Sequence, residues 1–356
     1  MEEGLNAGET RAAPIEEPRA PPPARATPRA AHIGWLVYVG RRLLQTIPTL
    51  LIIAVLNFSI VQLAPGDAAD VLAGEAGGAT PEYMAQLRRQ FGLDKPVPVQ
   101  LALYLENVAT LNLGYSFRNG MPVRDLIRQR LGPTLILMGT TILLSIGIGM
   151  LLGIAAASRP NSFRDQAISV IALLSYATPL FWVGLMLISV FSLRLGWFPT
   201  SGMETIAAFH EGWERAVDIG HHLVLPAITL SLFYMAVYAR LMRATMLEQA
   251  GMDYVTTARA KGLTERRITF RHILRNAALP ILTMAGVQVG ALLGGSVVVE
   301  TVFGWPGMGL LAYQALFARD INLLLGIFFI SACLVVVVNL LVDLFYLALD
   351  PRIEMR

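Results

Sequence analysis

Asp253-Tyr254-Val255-Thr256-Thr257-Ala258-Arg259-Ala260-Lys261-Gly262, running on through Leu263-Thr264-Glu265-Arg266-Arg267 to Ala278-Leu279-Pro280, is a short, polar, strongly basic stretch between two apolar ones. Lysines and arginines in a short loop between membrane spans place that loop on the cytoplasmic side. The pattern predicts two helical pieces hinged at a glycine. Leu241 to Lys261 continues as helix from the preceding apolar run, Gly262 takes the left-handed stop, and Thr264 caps a second helix with Glu265 in its first turn. Arg267, Arg271 and Arg275 then fall on one face of the second helix, with Ile273, Leu274, Ala277 and Ala278 toward the membrane. Such a stripe repels itself, and much of it reads as a solvated face beside anionic lipid. That reading leaves the uncharged turn Tyr254–Ala258 and the glycine break unexplained; a hinged pair of helices suits docking by a cytoplasmic partner.

Composition makes the surroundings of this loop a membrane. The 356 residues are 55% hydrophobic and only 15% charged, whereas soluble domains carry about 25% charged residues, and the mean hydropathy is +0.57. A pI near 9.1 needs no nucleic acid to explain it, because basic residues beside spans orient a membrane protein. The single cysteine, Cys333, lies in an apolar run, excludes an intramolecular disulfide and reads as a small packing residue.

About 20 helical residues cross a hydrocarbon core. Leu43–Leu63, Thr134–Ala157, Ala167–Leu193, Ala277–Val299 and Ile321–Val342 are uncharged runs of that order, and Leu223–Ala239, shorter and flanked by His221-His222 and Arg240, makes a sixth. Without it the loops on either side would fall on the same face. Six spans put both termini on one side. The segment before the first span, Ser158–Gln166, Arg240–Asn276 and the tail together hold 18 of the 28 lysines and arginines, so both termini are expected in the cytoplasm.

The expected organisation follows. Residues 1–34, rich in Ala, Pro, Arg and Glu, form a disordered cytoplasmic tail, and with Glu2, Glu3, Glu16 and Glu17 ahead of any apolar run they do not form a signal peptide. Residues 35–63 are the first span, 64–132 an external segment, 133–349 a five-helix core with a cytoplasmic loop at 240–276, and 350–356 a cytoplasmic tail. In the external segment, Glu82–Gly92 reads as a short helix stopped by Gly92 and Val99–Leu111 as a helix lying on the membrane or covering the bundle: a cap, not a catalytic domain.

Enzyme signatures are missing. The two lysines, Lys95 before Pro96 and Lys261 before Gly262, fit no P-loop, and there is no His-Glu-x-x-His, Cys-x-x-Cys or Gly-x-Ser-x-Gly. Of the five histidines, His221 and His222 are adjacent and point to different helix faces, so no metal site is expected. The spans carry no acid or base, with Glu300 and Asp343 at span ends, which argues against a proton relay. They carry small and neutral polar residues instead: Gly147, Gly149 and Gly153 in the second, and Gln288, Gly290, Gly294, Gly295 and Ser296 in the fifth. These read either as helix packing or as the lining of a pathway.

Asp253–Gly262 with Arg271-His272 and Arg275-Asn276-Ala277-Ala278-Leu279-Pro280 resembles the cytoplasmic loop of binding-protein-dependent ABC transporter permeases of the dipeptide, oligopeptide and nickel group. Arg41-Arg42-Leu43-Leu44, Ile47-Pro48-Thr49, Leu63-Ala64-Pro65-Gly66-Asp67, Leu113-Gly114-Tyr115-Ser116, Glu300-Thr301-Val302-Phe303-Gly304-Trp305-Pro306-Gly307-Met308-Gly309 and Asp350-Pro351-Arg352 match in order, over residues 35 to 354. The family loop reads EAA, three residues, then Gly; this chain keeps Ala258 and Gly262 and has Thr256-Thr257 in place of the glutamate and first alanine. The resemblance implies an all-α polytopic fold of six transmembrane helices, a MetI-like type I importer permease with an external cap between spans 1 and 2. It implies that Asp253, Tyr254, Thr256, Thr257, Ala258, Arg259, Ala260, Lys261 and Gly262 couple to an ATPase subunit. The implied partners are a second permease, two ABC ATPases that bind ATP and Mg, an extracytoplasmic solute-binding protein and the lipid membrane, with no cofactor in this chain. Dipeptides and oligopeptides are the implied cargo, with nickel chelate, glutathione, opine or haem as alternatives. A receptor, an assembly scaffold or an intramembrane enzyme is the reading from another class.

Overall fold

Helices account for nearly all of the computed structural model, which describes residues 28–63, 80–90, 92–116 and 118–349. The expected tails at 1–27 and 350–356, and residues 64–79 of the external segment, lie outside the described residues. Helix α1 is Pro28–Leu63, with its apolar stretch at Leu44–Ile60. It begins ahead of the tail boundary expected at residue 34, because Pro28 suits a first helical turn and Arg29, Ala30 and Ala31 propagate a helix well. Helices α2 (Pro81–Gln90) and α3 (Val97–Ala109) follow, then a hairpin of β1 (Tyr115–Ser116) and β2 (Met121–Pro122).

Next comes α4, Val123–Ala157. The expected end of the external segment at residue 132 therefore falls inside a helix. Pro133 nonetheless lies within α4: it gives up its own backbone bond and crowds the carbonyl four residues back, while its own carbonyl oxygen accepts from the indole Nε1 of Trp305 at 3.0 Å. The third span is not continuous either: α5 (Phe163–Ala177) and α6 (Leu180–Leu187, extended by a π-helical stretch to Arg194) meet at 102°. Thr178 is held extended (φ −83°, ψ 131°) by the proline that follows it, and its N–H and hydroxyl both donate to the Leu174 carbonyl, at 3.1 and 2.7 Å.

Helix α7 runs from Gly212 to Ala250, well beyond the apolar window Leu223–Ala239. After it come α8 (Asp253–Ala260), α9 (Glu265–Ile268), a π-helical turn at Thr269–Ile273, α10 (Leu274–Ala277), α11 (Leu279–Val302), α12 (Met308–Phe317) and α13 (Ile321–Leu349). Among the described residues, four helical stretches are long and apolar enough to cross a bilayer: Val123–Ala157, Gly212–Ala250, Glu265–Val302 and Ile321–Val342; the bent pair makes a fifth if it is one span.

Helices α4 and α7 pack closely, and two glycines set the approach. A Cβ on Gly149 would lie 2.6 Å from the Tyr238 Cβ and 2.9 Å from the Met235 carbonyl oxygen; one on Gly153 would lie 2.5 Å from the Met242 Cβ and 2.7 Å from the Ala239 oxygen. Gly147 has open space instead, so close packing accounts for two of the three glycines of this span. Around this seam lies the main core, including Leu137, Leu230, Tyr234, Tyr238, Met242, Ile281 and Leu292. At the end of α4 away from Ala157, a second cluster joins Val123, Leu126 and Ile127 to Met308, Leu311, Leu323 and Ile327. A third packs Val108 of α3 against Ala54 of α1 and Phe329 of α13, so α3 covers helices rather than standing apart.

Candidate functional site

The basic loop folds into three short helical pieces: α8, α9 and the π-helical turn leading into α10. Helix α7 stops at Gly251, whose N–H bonds the Glu248 carbonyl, and Met252 is extended (φ −78°, ψ 149°), so the expected continuous helix Leu241–Lys261 is broken. Gly251 lowers helix propensity where the chain must turn. The Tyr254 hydroxyl donates across the break to Gln249 Oε1 at 2.9 Å. At its other end α8 closes with both bonds of a Schellman motif, Gly262 N–H to the Arg259 carbonyl at 2.9 Å and Leu263 N–H to the Ala258 carbonyl at 3.3 Å. Gly262 sits at φ +76°, the left-handed stop expected of it, and a Cβ there would meet nothing within 4 Å.

Two side chains anchor α8: Val255 and Ala258 are buried in the same core that holds α4, α7 and α11. Of the nine residues assigned to coupling, Ala258 therefore faces inward and Tyr254 is half-buried, while Asp253, Thr256, Thr257, Arg259, Ala260, Lys261 and Gly262 are exposed. The i, i+3 spacing of Val255 and Ala258 produces this division. Across the Gly262 turn Arg259 donates to Glu265 at 2.7 and 3.3 Å, and that carboxylate holds the guanidinium above its ordinary pKa. Thr264 occupies the N-cap of α9 in extended geometry but makes no side-chain cap bond, which corrects that expectation; the Ile268 N–H instead bonds the Thr264 carbonyl at 3.0 Å. The arginine stripe is also not a straight ridge. Thr269–Ile273 is π-helical, and its wider turn shifts residues four apart out of line across Arg267, Arg271 and Arg275.

A second device holds the same end of the bundle. Arg243 on α7 grips Asp165 with two donors, Nε to Oδ1 at 2.6 Å and Nη2 to Oδ2 at 2.7 Å, while the Asn161 N–H donates to Oδ2 at 2.9 Å. The Ser162 hydroxyl accepts from the Asp165 N–H at 3.3 Å, capping α5. Thr245, half a turn on from Arg243, reaches the Ala277 carbonyl at 3.2 Å, joining α7 to α10. Sequence reading missed this pair. Its only local signal is the Ser162-x-x-Asp165 cap, which announces a helix start but not a partner 78 positions away.

At the opposite end Glu300 is fully buried. It lies in the last turn of α11, as expected of a span end, but it is a hub. Thr134 Oγ1 donates to Glu300 Oε1 at 2.9 Å, and the Leu310 N–H donates to Oε2 at 2.9 Å. Thr134 Oγ1 in turn accepts from the Met308 N–H at 2.7 Å. The carboxylate thus meets the positive start of α12, where backbone donors lack helix partners. A side chain at Gly307 would collide with the carboxylate, and one at Gly309 would meet the Val297 Cα at 2.7 Å, which explains both glycines. The Trp305 N–H bonds the Glu300 carbonyl at 2.9 Å, folding the motif back on itself.

The residues offered as a pathway do not converge. Gly290 and Gly294 are exposed and Gln288 is half-buried, but Gly295 faces the Tyr234 hydroxyl and Ser296 is buried with its hydroxyl donating to the Leu293 carbonyl at 2.9 Å. A helix turns these five positions around its whole circumference. No group of three or more histidine, cysteine or acidic residues among the described residues has metal-binding geometry.

Residues 149–355 match the family described as the binding-protein-dependent transport system inner membrane component, and residues 35–138 match the N-terminal unit of such membrane components. The chain is 42% identical over 322 residues to the oligopeptide transport system permease protein AppB of Bacillus subtilis, covering 89% of this chain and 99% of that one. Two crystal forms of the inward-facing MetNI methionine ABC transporter contain a chain of the same fold, with TM-scores of 0.51, 17% identity, and coverage of 63–64% of this chain and 96–97% of that one.

Proposed function

This chain belongs to the binding-protein-dependent transport system inner membrane component family, and from that premise we propose that it forms the translocation pathway for dipeptides and oligopeptides. It is an integral inner membrane protein and a transport component that works with an ATPase and a substrate-binding protein. The finer reading has six spans, counting α1, with both termini in the cytoplasm. A homologous second permease completes the pathway, two ATPase subunits bind ATP and Mg, and an extracytoplasmic binding protein delivers cargo. This chain needs no cofactor of its own.

One observation carries the coupling role. Helix α8 and its C-cap Lys261 expose Asp253, Thr256, Thr257, Arg259 and Lys261, yet α8 is bolted into the span core through Val255 and Ala258. A partner that grips the exposed face moves α7 and α11 with it, because packed cores shift between discrete arrangements rather than deforming smoothly. ATP-driven closure of the ATPases then rocks the spans toward the outward-open state. The relative named as an oligopeptide permease supports the cargo.

The test is reconstitution with the second permease and ATPases in liposomes, measuring hydrolysis and uptake of labelled di- and oligopeptides with and without the binding protein. Uptake coupled to hydrolysis is expected. Stimulated hydrolysis without peptide uptake would reject the cargo, and failure of the folded chain to associate with any ATPase would reject the coupling role.

A further inference from the structure

We propose that the cleft lined by Thr264, Arg266, Arg267, Phe270 and Arg271 is a seat for the phosphate of an anionic phospholipid headgroup. The cleft is broad and open to solvent, with a volume of about 670 Å³. Its three arginines are exposed, and among the described residues none has an acidic partner; the nearest acid in sequence, Glu265, is committed to Arg259. Three guanidinium groups around one hollow repel each other unless an anion sits between them, and the arginine fork matches phosphate oxygens.

Position selects a lipid over other phosphates. The cleft lies on the helical stretch Glu265–Val302 that enters the membrane, and the apolar run of that stretch begins at Ala277. At about 1.5 Å per residue, Arg271 stands roughly 9 Å and Arg267 roughly 15 Å from that point; the headgroup layer is about 5–8 Å deep, so the long side chain of Arg271 reaches back into it and Arg267 borders it from the aqueous side. Phe270, 56% exposed, lines the same hollow; an aromatic ring beside arginines fits the boundary between headgroup and acyl chain, and is a poor neighbour for a free aqueous anion. The proposal rests on membrane insertion and not on the cargo.

The experiment is native mass spectrometry of the purified full chain, released from nanodiscs of equal phosphatidylglycerol and phosphatidylcholine, compared with R266Q/R267Q/R271Q. At about fivefold per arginine near an anionic surface, the triple variant should lose on the order of 100-fold of its phosphatidylglycerol preference. Arg164→Gln, which removes one exposed basic residue at the same end of the bundle, matches the charge lost in Arg271→Gln and should retain the preference. Retention of phosphatidylglycerol in the triple variant would overturn the proposal. So would equal loss in Arg164→Gln, displacement of the lipid by millimolar inorganic phosphate, or loss of ATPase association with lipid retention unchanged. Elution of both variants at the wild-type volume establishes folding, and the single substitution Arg271→Gln, expected to lose about fivefold, repeats the test should the triple variant aggregate.

Discussion

Replacing Glu300 tests whether the buried carboxylate holds together the end of the bundle away from α8. Glu300→Ala removes the acceptor of the Thr134 hydroxyl and the Leu310 N–H, both at 2.9 Å. Two buried donors left without partners together cost about 2–6 kcal/mol, and the vacated space adds about 1–2, for a total of roughly 3–8 kcal/mol. Glu300→Gln keeps the volume and one acceptor oxygen but turns an amide N–H₂ toward the other donor, so it should cost about 1–3 kcal/mol. For a chain of 356 residues, with an unfolding entropy of about 2.1 cal/mol/K per residue, the alanine variant should unfold roughly 4–11 °C lower than the parent, with the glutamine variant between them. Trp305 is a built-in reporter, since it is fully buried and its backbone N–H bonds the Glu300 carbonyl at 2.9 Å. With Trp35, Trp182, Trp197 and Trp213 replaced by Phe, its emission should shift to the red as the cage opens, and thermal unfolding of the detergent-solubilised chain gives the stability. If the alanine variant melts with the parent, or if glutamine is as damaging as alanine, the carboxylate is not a hydrogen-bonded hub and the reasoning is wrong.

Three further outcomes follow from other contacts. Gly153→Ala pushes a methyl to 2.5 Å from the Met242 Cβ and should destabilise by about 1–3 kcal/mol in a thermal melt, whereas Gly147→Ala, in open space, should be neutral. Gly262→Val meets no neighbour but must hold φ +76°; the backbone alone should cost about 1–2 kcal/mol and lower coupled uptake relative to ATP hydrolysis, while Gly262→Asn should remain near the parent. Asp165→Asn strips the charge from the Arg243 clamp and should speed amide hydrogen exchange over residues 158–166; combined with Arg243→Gln the effect should be less than additive, because both remove one interaction.

The sequence made the basic loop legible because its signals are local. Gly262 marks a left-handed stop that glycine adopts at little cost, and the apolar runs mark the membrane by length alone. The misjudged positions share a physical cause. Thr178-Pro179 sits within an apolar run, so hydropathy reads through a 102° bend that proline imposes on the backbone. Pro133 punctuates sequence but lies inside α4, where a tertiary contact from Trp305 supports the local geometry. Glu300 was legible as an acid at a span end, yet its burial depends on Thr134 and Leu310, which reach it from two other helices. Val255 belongs to the loop's uncharged turn, and its anchoring role is a property of the core it enters rather than of its neighbours in sequence.

These contacts give α11 fixed ends and an open middle. At one end the Thr245 hydroxyl reaches the Ala277 carbonyl just ahead of α11, and at the other Glu300 ties the helix to α4 and α12. Between them Val287, Gly290, Ala291, Gly294 and Val298 stay exposed, whereas Val289, Leu292, Ser296 and Val299 are buried. A span held at both ends turns force applied at α8 into rotation or translation of the whole rod rather than fraying of its termini, since breaking either hydrogen-bonded end costs more than sliding a smooth apolar face. The proposed transport cycle requires that behaviour. Movement of the lever must reach the far end of the bundle undiminished, and the Glu300 cage is where that movement would arrive.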